Sequence, residues 1–568
     1  MSSPRYVLGL NIGFHDASAA LLRDGTLCSL FEEERLTRRK HAIAQPPVES
    51  LRACLDAEGI TIDSVDEIAI GWDFRGTPLG NNRRFTEAGL RRMLFPGNPP
   101  ERMPRITWVP HHIAHAASAY FSSGYDDVAI LVVDGAGEDQ SASIARGRDG
   151  EIELLRQWPV AQSLGFFYTA ASRWAGFGDW GTGKLMGLAA YGRPDPAGVG
   201  LAKRPDGYEF SFPEADLPEL ADTRAVATLG PLVAYYPAFE ANMRPAFCGH
   251  YPYVERTGEE PIAYADFAAT VQTALEEAMF GLVELARREY GLTKIVLAGG
   301  VAMNCTMVGR LARSGVFDDV YVPPVPTDAG VSLGAALVAA RRSGSGDFAP
   351  TTVDHAYWGH DIDLDSAVVA AREAGLAARR LSDDEMTKHV SQSIADGKIV
   401  GWARGRAEIG QRALGTRSLV ADPRDRRTLE RLNVLKGREM WRPVAPSVLG
   451  ENLGDVMSTH VGQPARFMLA AGQVRHDMRQ VVPAVTHVDG SARPQFVDRA
   501  TNPAYWSLID GFRQLTGVPL VVNTSFNLAG EPIVNTAAEA VSTYVRGESM
   551  DLLVLDQLLV ARSEAQLP

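Results

Sequence analysis

Val128-Ala-Ile-Leu-Val-Val-Asp-Gly-Ala-Gly137 is the stretch on which the fold turns. An unbroken apolar run from Val128 to Val133 fits a strand buried on both faces, and Asp134-Gly135-Ala136-Gly137 supplies the small, polar turn that ends it. Gln140 to Ala145 then reads as a second strand and Gly147 to Leu155 as a third. The same succession opens the chain. Tyr6-Val-Leu-Gly-Leu-Asn11 reads as a buried strand entering a turn at Gly13, Ala17 to Leu22 as a second strand, Asp24-Gly25 as a hairpin turn, and Thr26 to Glu32 as a third strand. Two such units, each followed by helices, predict a duplicated α/β fold whose turns face each other across a cleft. Lys294-Ile-Val-Leu-Ala298 adds a strand that opens through Gly299-Gly300-Val-Ala-Met-Asn304 into a helix. Thr327-Asp328-Ala329-Gly330 starts the apolar helix Val331 to Ala340.

At 568 residues the chain exceeds what one hydrophobic core usually organises. We read a first domain over 1–343, a linker over 344–352 (GSGDFAPTT) and a second domain over 353–568, with strands Ile399 to Trp402 and Val518 to Val522. A net charge of -13 without a long basic run argues against nucleic acid as the main partner. Cys28, Cys54, Cys248 and Cys305 are scattered and contain no C-x-x-C, which fits a reducing compartment rather than a disulfide framework or a cysteine zinc site. No stretch approaches the roughly eighteen apolar residues of a membrane span. The apolar run near the start is too short for a signal peptide. The expectation is a cytoplasmic protein.

His111 and His115, in Val109-Pro-His-His-Ile-Ala-His115, lie one helical turn apart on one face and could share a metal ion, or be ordinary helix-end or core histidines. Asp134 ends a strand and Asp328 precedes a helix, so a turn former and an N-cap would explain them separately. Both fall in the turns where this fold would place a nucleotide. Two imidazoles and two carboxylates suit iron(II), manganese or zinc. Gly299-Gly300 at a strand-to-helix switch lets an anionic ligand approach backbone amides, although a tight turn alone would also use them. Gly178-Asp-Trp-Gly-Thr-Gly183-Lys184 imitates a phosphate-binding loop, but Leu185 replaces the magnesium-binding hydroxyl and no strand precedes it, so we reject that reading. In the second domain Arg404, Arg406, Arg412, Arg417, Lys436, Arg438 and Arg442 crowd into a stretch rich in Gly and Trp, too apolar for a plain solvated face. Guanidinium groups suit bidentate phosphate capture. Asn523-Thr-Ser-Phe-Asn527 after a β-run adds neutral donors and acceptors.

Together these residues resemble the O-carbamoyltransferase family of antibiotic and nodulation-factor biosynthesis. The carrying motifs are FHDASAA from Phe14, EEERLTRRKH from Glu32, HHIAHAASAY from His111, VDGAGE from Val133, SLGFFY from Ser163, GKLMGLAA from Gly183, GGVAMN from Gly299, TDAGVSLGAA from Thr327, EIGQRALGTRS from Glu408, WRPVAPS from Trp441 and NTSFN from Asn523. They run in family order over nearly the whole chain. The resemblance implies an N-terminal domain of the actin-like and sugar-kinase-like ATPase type, similar to tRNA threonylcarbamoyl-transferases, and a C-terminal YrdC-like α/β domain. It implies that the C-terminal domain makes carbamoyl-adenylate from carbamoyl phosphate and ATP, and that the N-terminal domain passes the carbamoyl group to a hydroxyl of a natural-product acceptor. It implies ATP with Mg2+, an iron(II)-type divalent metal on His111, His115, Asp134 and Asp328, and no nucleic-acid or membrane partner, and it allows a homodimer. His15, Asp16 and Lys40 are implied near the acceptor and the transferring carbonyl. Gly135, Lys184, Gly299, Gly300 and Asn304 are implied as nucleotide contacts. Arg417, Ser418, Lys436, Arg438, Arg442, Arg493 and Asn523 are implied as carbamoyl-phosphate and ATP anchors.

Two rivals share parts of this reading. A tRNA threonylcarbamoylation enzyme would need a broad positive surface, which the acidic balance opposes. An actin-like ATP-switched protein would leave the arginine-rich second domain idle. Phe74 to Pro104 and Arg193 to Pro261, with weak periodicity and many Pro and Gly, are expected to shape acceptor access.

Overall fold

Strand β1 (Tyr6–Asn11) is buried along its whole length, as its apolar run requires. In the computed structural model, which describes residues 4–76, 85–211, 261–344 and 352–568, β1 pairs antiparallel with β2 (Ser18–Arg23), and β2 pairs antiparallel with β3 (Thr26–Glu32). On its other side β1 runs parallel to β4 (Glu67–Ile70), and β4 runs parallel to β5 (Arg105–Trp108). The sheet order is therefore β3-β2-β1-β4-β5. The second sheet repeats it. Strands β6 (Asp127–Val133), β7 (Gln140–Arg148) and β8 (Glu151–Pro159) form the antiparallel meander; after a hairpin of β9 (Leu201–Arg204) and β10 (Gly207–Phe210), β11 (Lys294–Ala298) and β12 (Asp319–Tyr321) add in parallel. The order β12-β11-β6-β7-β8 is the first sheet's order read backwards, so the duplicated α/β fold expected from the two strand-turn-strand units is present. One boundary differs. Gly147 and Arg148 extend β7 rather than opening β8, because Asp149 and Gly150, with φ of 53° and 75°, form the two-residue hairpin turn.

Two helices lie between these sheets. His111–Phe121 packs on β6, β7 and β11, Val331–Arg342 packs on β1, β2 and β4, and the two pack on each other. Their approach is backbone to backbone. A Cβ on Gly334 would lie 1.7 Å from the Ala114 carbonyl oxygen, and one on Gly9 would lie 1.9 Å from that of Ser332. The turns that carry Asn11, Asp134 and Asp328 border these helices.

The chain divides into two units. Residues up to Thr37 and from His41 to Val353 form the first; Arg38–Lys40 and Asp354–Pro568 form the second. Of the expected linker, residues 345–351 lie outside the described residues. The second unit is α/β around a mixed eight-stranded sheet in the order Ala377–Arg380, Leu558–Ala561, Leu552–Leu555, Val400–Ala403, Arg417–Ala421, Leu520–Ser525, Ala445–Leu449, Gln495–Val497. Asn523 to Ser525 therefore belong to a strand instead of following one. Among the described residues, Cys28, Cys54 and Cys305 form no disulfide, and no helix is long and apolar enough to cross a membrane. Cys248 lies outside the described residues, as do 77–84 and 212–260 of the two segments expected to shape acceptor access.

Candidate active site

His111 begins its helix immediately after Pro110, and its backbone N–H donates to both Glu138 carboxylate oxygens, at 3.0 and 3.2 Å. Glu138 thereby answers an orphan donor at a helix start, where negative charge is favoured. The His111 Nδ1 lies 3.1 Å from the Gly71 carbonyl oxygen, so Nδ1–H donates there and Nε2 is turned toward the two aspartates. That nitrogen lies 3.5 Å from Asp134 and 3.6 Å from Asp328, and His115 Nε2 sits 3.6 and 3.5 Å from the same two carboxylates. The two Nε2 atoms are 3.1 Å apart. All four ligand atoms lie within 4.8 Å of one another, and all four residues are buried. The middle histidine of the motif, His112, turns away to Ser143 Oγ at 2.9 Å, and burial holds it neutral, down to about 3.

The donor set fits a divalent cation. Two carboxylates face each other in a buried space, an arrangement costly unless positive charge sits between them. Burial opposes ionisation of Asp134, but hydrogen bonds from His111 and His115 hold its carboxyl well below the usual range. For His111, burial would lower proton affinity, yet Asp328 and Asp134 outweigh it and raise the imidazole to about 10. The second Asp134 oxygen accepts from the Gly300 N–H at 2.8 Å. Gly299, with φ of 87°, is needed there: a Cβ would stand 2.2 Å from the Val133 carbonyl oxygen.

His15 stands beside this cluster. Its Nδ1 is 3.2 Å from Asp16 and 4.0 Å from Asp328. Asn11 shapes the turn, donating to the His15 and Asp16 carbonyls while its own oxygen accepts from Gly13 N–H and Trp72 Nε1. Asp16 is held again from outside: its N–H donates to the His41 carbonyl at 2.7 Å, and its carboxylate lies 3.4 Å from His41 Nδ1. Lys40, expected with His15 near the acceptor and the transferring carbonyl, belongs to the second unit.

The expected nucleotide contacts divide. Gly135 and Gly300 flank Asp134. Asn304 caps the helix Cys305–Ser314, its oxygen accepting from Met307 N–H while its amide exchanges bonds with Gln272. Lys184 lies in the helix Thr182–Ala189, behind a one-turn 3-10 segment and with no preceding strand, which agrees with rejecting a phosphate-binding loop.

In the second unit the cations also divide. Arg417 is wholly buried, and its guanidinium donates to the Asn535, Gly405, Thr416 and His360 carbonyls. Lys436 Nζ meets Ser525 and Asn527 oxygens at 2.6 to 3.2 Å; burial, then Arg438, Lys40 and Arg442, push its proton affinity well down. Both bind the fold. Arg438 uses Nε on Asn433 but has a buried Nη2 without a partner, and burial, then Arg442 and Arg493, lower it to about 9. Arg442 is depressed by burial and by Arg493, and a buried Arg493 Nε is unpartnered. Burial and the neighbouring guanidiniums thus work against the charge of Arg438 and Arg442, with Glu439, 3.7 Å from Arg442, opposing them. Ser418 Oγ accepts from Gly415 N–H, and Asn523 donates into a buried network with Ala413, Ser447 and Gln495.

The carbamoyltransferase N-terminus family matches residues 99–337, and the carbamoyltransferase C-terminus family matches 391–562. Nodulation protein NolNO of Sinorhizobium fredii is 35% identical over 98% of this chain and 80% of its own length. The chain belongs to the carbamoyltransferase family. Nodulation protein NolO of Bradyrhizobium diazoefficiens is 37% identical to the transferase over 80% of this chain and 79% of its own. Among solved structures, component A of (R)-2-hydroxyglutaryl-CoA dehydratase from Acidaminococcus fermentans covers 60% of the transferase and 99% of its own chain, at 14% identity and a TM-score of 0.34.

Three residues of the transferase's site escaped the sequence reading. Glu138 sits in the quoted VDGAGE motif but was given no role. His41 closes the EEERLTRRKH motif, and the positive φ values of Arg38, His41, Ala42 and Ala44 that fold it over the Asp16 turn leave no mark in composition. Trp180, whose ring stacks on His41 at 3.8 Å and meets His15 edge-on at 5.2 Å, lies inside the rejected loop motif.

Proposed function

We propose that this transferase is an ATP-dependent O-carbamoyltransferase. Its second unit makes carbamoyl-adenylate and pyrophosphate from carbamoyl phosphate and ATP, and its first unit transfers the carbamoyl group to a hydroxyl of a small-molecule acceptor. The observation that carries the reading is His15 set 4.0 Å from Asp328, at the edge of the four-residue cluster. In the second unit Arg438, Arg442 and Arg493 hold the phosphate oxygens, with Lys436 and Arg417 shaping the loop around them.

In the first unit His111, His115, Asp134 and Asp328 would hold an iron(II)-type divalent ion, which supplies positive charge for the departing phosphate and offsets the two carboxylates. Burial lowers the proton affinity of His15, but Asp328, Asp16 and Asp134 raise it to about 9 in the ion-free site. With an ion offsetting Asp328 and Asp134, the neutral imidazole, oriented by Asp16, would take the proton from the acceptor hydroxyl as its oxygen bonds to the carbamoyl carbon. The carbonyl-carbon-to-phosphate-oxygen bond breaks, and AMP leaves with the electron pair. Gly299 and Gly300 let the nucleotide approach the backbone. Splitting the reaction suits the chemistry, because free carbamate is a poor electrophile that decomposes in water.

The test is pyrophosphate release from ATP that depends on carbamoyl phosphate, followed by a screen of hydroxylated natural products for a carbamoyl mass gain. Neither a tRNA-modifying enzyme nor an actin-like switch would release pyrophosphate in that dependence. No release from folded, metal-loaded protein would overturn the reading.

A further inference from the structure

Gly178-Asp-Trp-Gly-Thr-Gly183-Lys184, which imitates a phosphate-binding loop in sequence, has another use in the fold. It forms a single 3-10 turn, Asp179–Gly181, running directly into the helix Thr182–Ala189. Ser172 Oγ donates to the Gly178 carbonyl at 2.7 Å, and the Asp179 carboxylate lies 3.4 Å from Arg173 Nε, so the turn is tied to the helix Leu164–Trp174 behind it. What the tied turn presents is Trp180.

The Trp180 side chain is 48% exposed, although an indole has more apolar area to hide than almost any other side chain. It is not a stray surface residue. Its ring stacks on His41 at 3.8 Å with an interplanar angle of 11°, and it meets His15 edge-on at 5.2 Å and 84°. His41 is the residue that holds Asp16, and Asp16 orients His15. A half-open indole therefore borders the imidazole assigned to take the acceptor's proton. The polar groups that border it are His15, His41, Asp16 and, bonded to the His41 N–H, Glu34.

We propose that Trp180 is a specificity-determining residue, which stacks against the C–H face of a saturated, hydroxyl-bearing ring of the acceptor, a pyranose or a cyclitol, and brings a ring hydroxyl to His15. The inference rests on the acceptor-hydroxyl reading above and names the acceptor's class. One apolar plane surrounded by carboxylates and imidazoles matches a ring with one C–H face and a rim of hydroxyls. A flat aromatic acceptor would require a second apolar wall, and an open-chain polyol would lose rotamer freedom on lying against the plane.

The experiment is saturation-transfer NMR on the full chain without ATP or carbamoyl phosphate. The probes are methyl glucopyranoside, methyl mannopyranoside and myo-inositol, with sorbitol as the open-chain control and phenol as the flat control. The expected result is saturation concentrated on ring C–H protons, affinity about tenfold above sorbitol, loss of that margin in Trp180→Ala and its return in Trp180→Phe. Equal or better binding of sorbitol or phenol, no binding of any ring probe, or an unchanged margin in Trp180→Ala would each overturn the proposal. Because the readout is binding alone, its failure is distinct from failure of the carbamoyl chemistry, which pyrophosphate release reports.

Discussion

Metal uptake by His111, His115, Asp134 and Asp328 should release protons and tighten steeply as pH rises. Without an ion, burial of His111 disfavours its charge, but Asp328 and Asp134 overcome that and raise the imidazole from 6.5 to about 10. A folded-state value above the unfolded one means that this proton stabilises the ion-free protein fully below pH 6.5, and that the contribution is lost as pH rises through about 10. A divalent ion needs the same Nε2 lone pair and must displace the proton. Its affinity should therefore climb about tenfold per pH unit from pH 7 and level off near pH 10, a total on the order of a thousandfold. Cobalt(II), with visible absorption that reports its coordination, can be titrated into metal-free protein at stepped pH. Calorimetry in two buffers of different ionisation enthalpy counts the protons released, and about one per ion is expected at pH 7. Affinity that is flat between pH 7 and pH 9, with no proton released, would refute the assignment of His111 as a ligand held protonated by the two aspartates.

The other expectations separate the two units. His111→Ala should keep carbamoyl-phosphate-dependent pyrophosphate release and lose acceptor carbamoylation; loss of both in folded protein would argue for a single shared site. Arg438→Ala should do the reverse, with the first half-reaction down about thirtyfold for a lost contact of roughly 2 kcal/mol, while transfer from supplied carbamoyl-adenylate persists. Arg417→Ala should act on stability, because four carbonyls, two of them buried, lose their donor at once. A loss of about 3 kcal/mol or more is expected in denaturant unfolding, and an unchanged midpoint with lost activity would make Arg417 a substrate ligand instead.

The duplicated sheets were legible because each begins with an apolar run that ends in a small, polar turn, a local signal that needs no knowledge of tertiary packing. The four clustered ligands were legible for a related reason. His111 and His115 share a helix face by spacing alone, and Asp134 and Asp328 each sit in a small, polar turn, one at the end of a strand and one at the start of a helix. The second unit was less readable. Charges near Gly and Trp look alike in sequence whatever they bond to, and the carbonyls around Arg417 and the oxygens around Lys436 leave no local mark in the chain. Asn304, implied as a nucleotide contact, also caps a helix and bonds to Gln272, which its place after Gly299-Gly300 does not announce. Trp180 was hidden by the motif around it, since a match to a familiar loop drew attention to the glycines and the lysine.

The contact of Gly334 with the Ala114 carbonyl has a consequence for ion choice. It locks the helix carrying both histidines against the helix that follows Asp328, and neither can slide without driving one main chain into the other. A centre built on such a joint has little freedom to widen or shrink around its occupant. Selection among divalent ions would then follow ionic radius and bond length rather than the ordinary ranking of affinities, and a larger Gly334 side chain should shift which ion the protein retains before it abolishes retention.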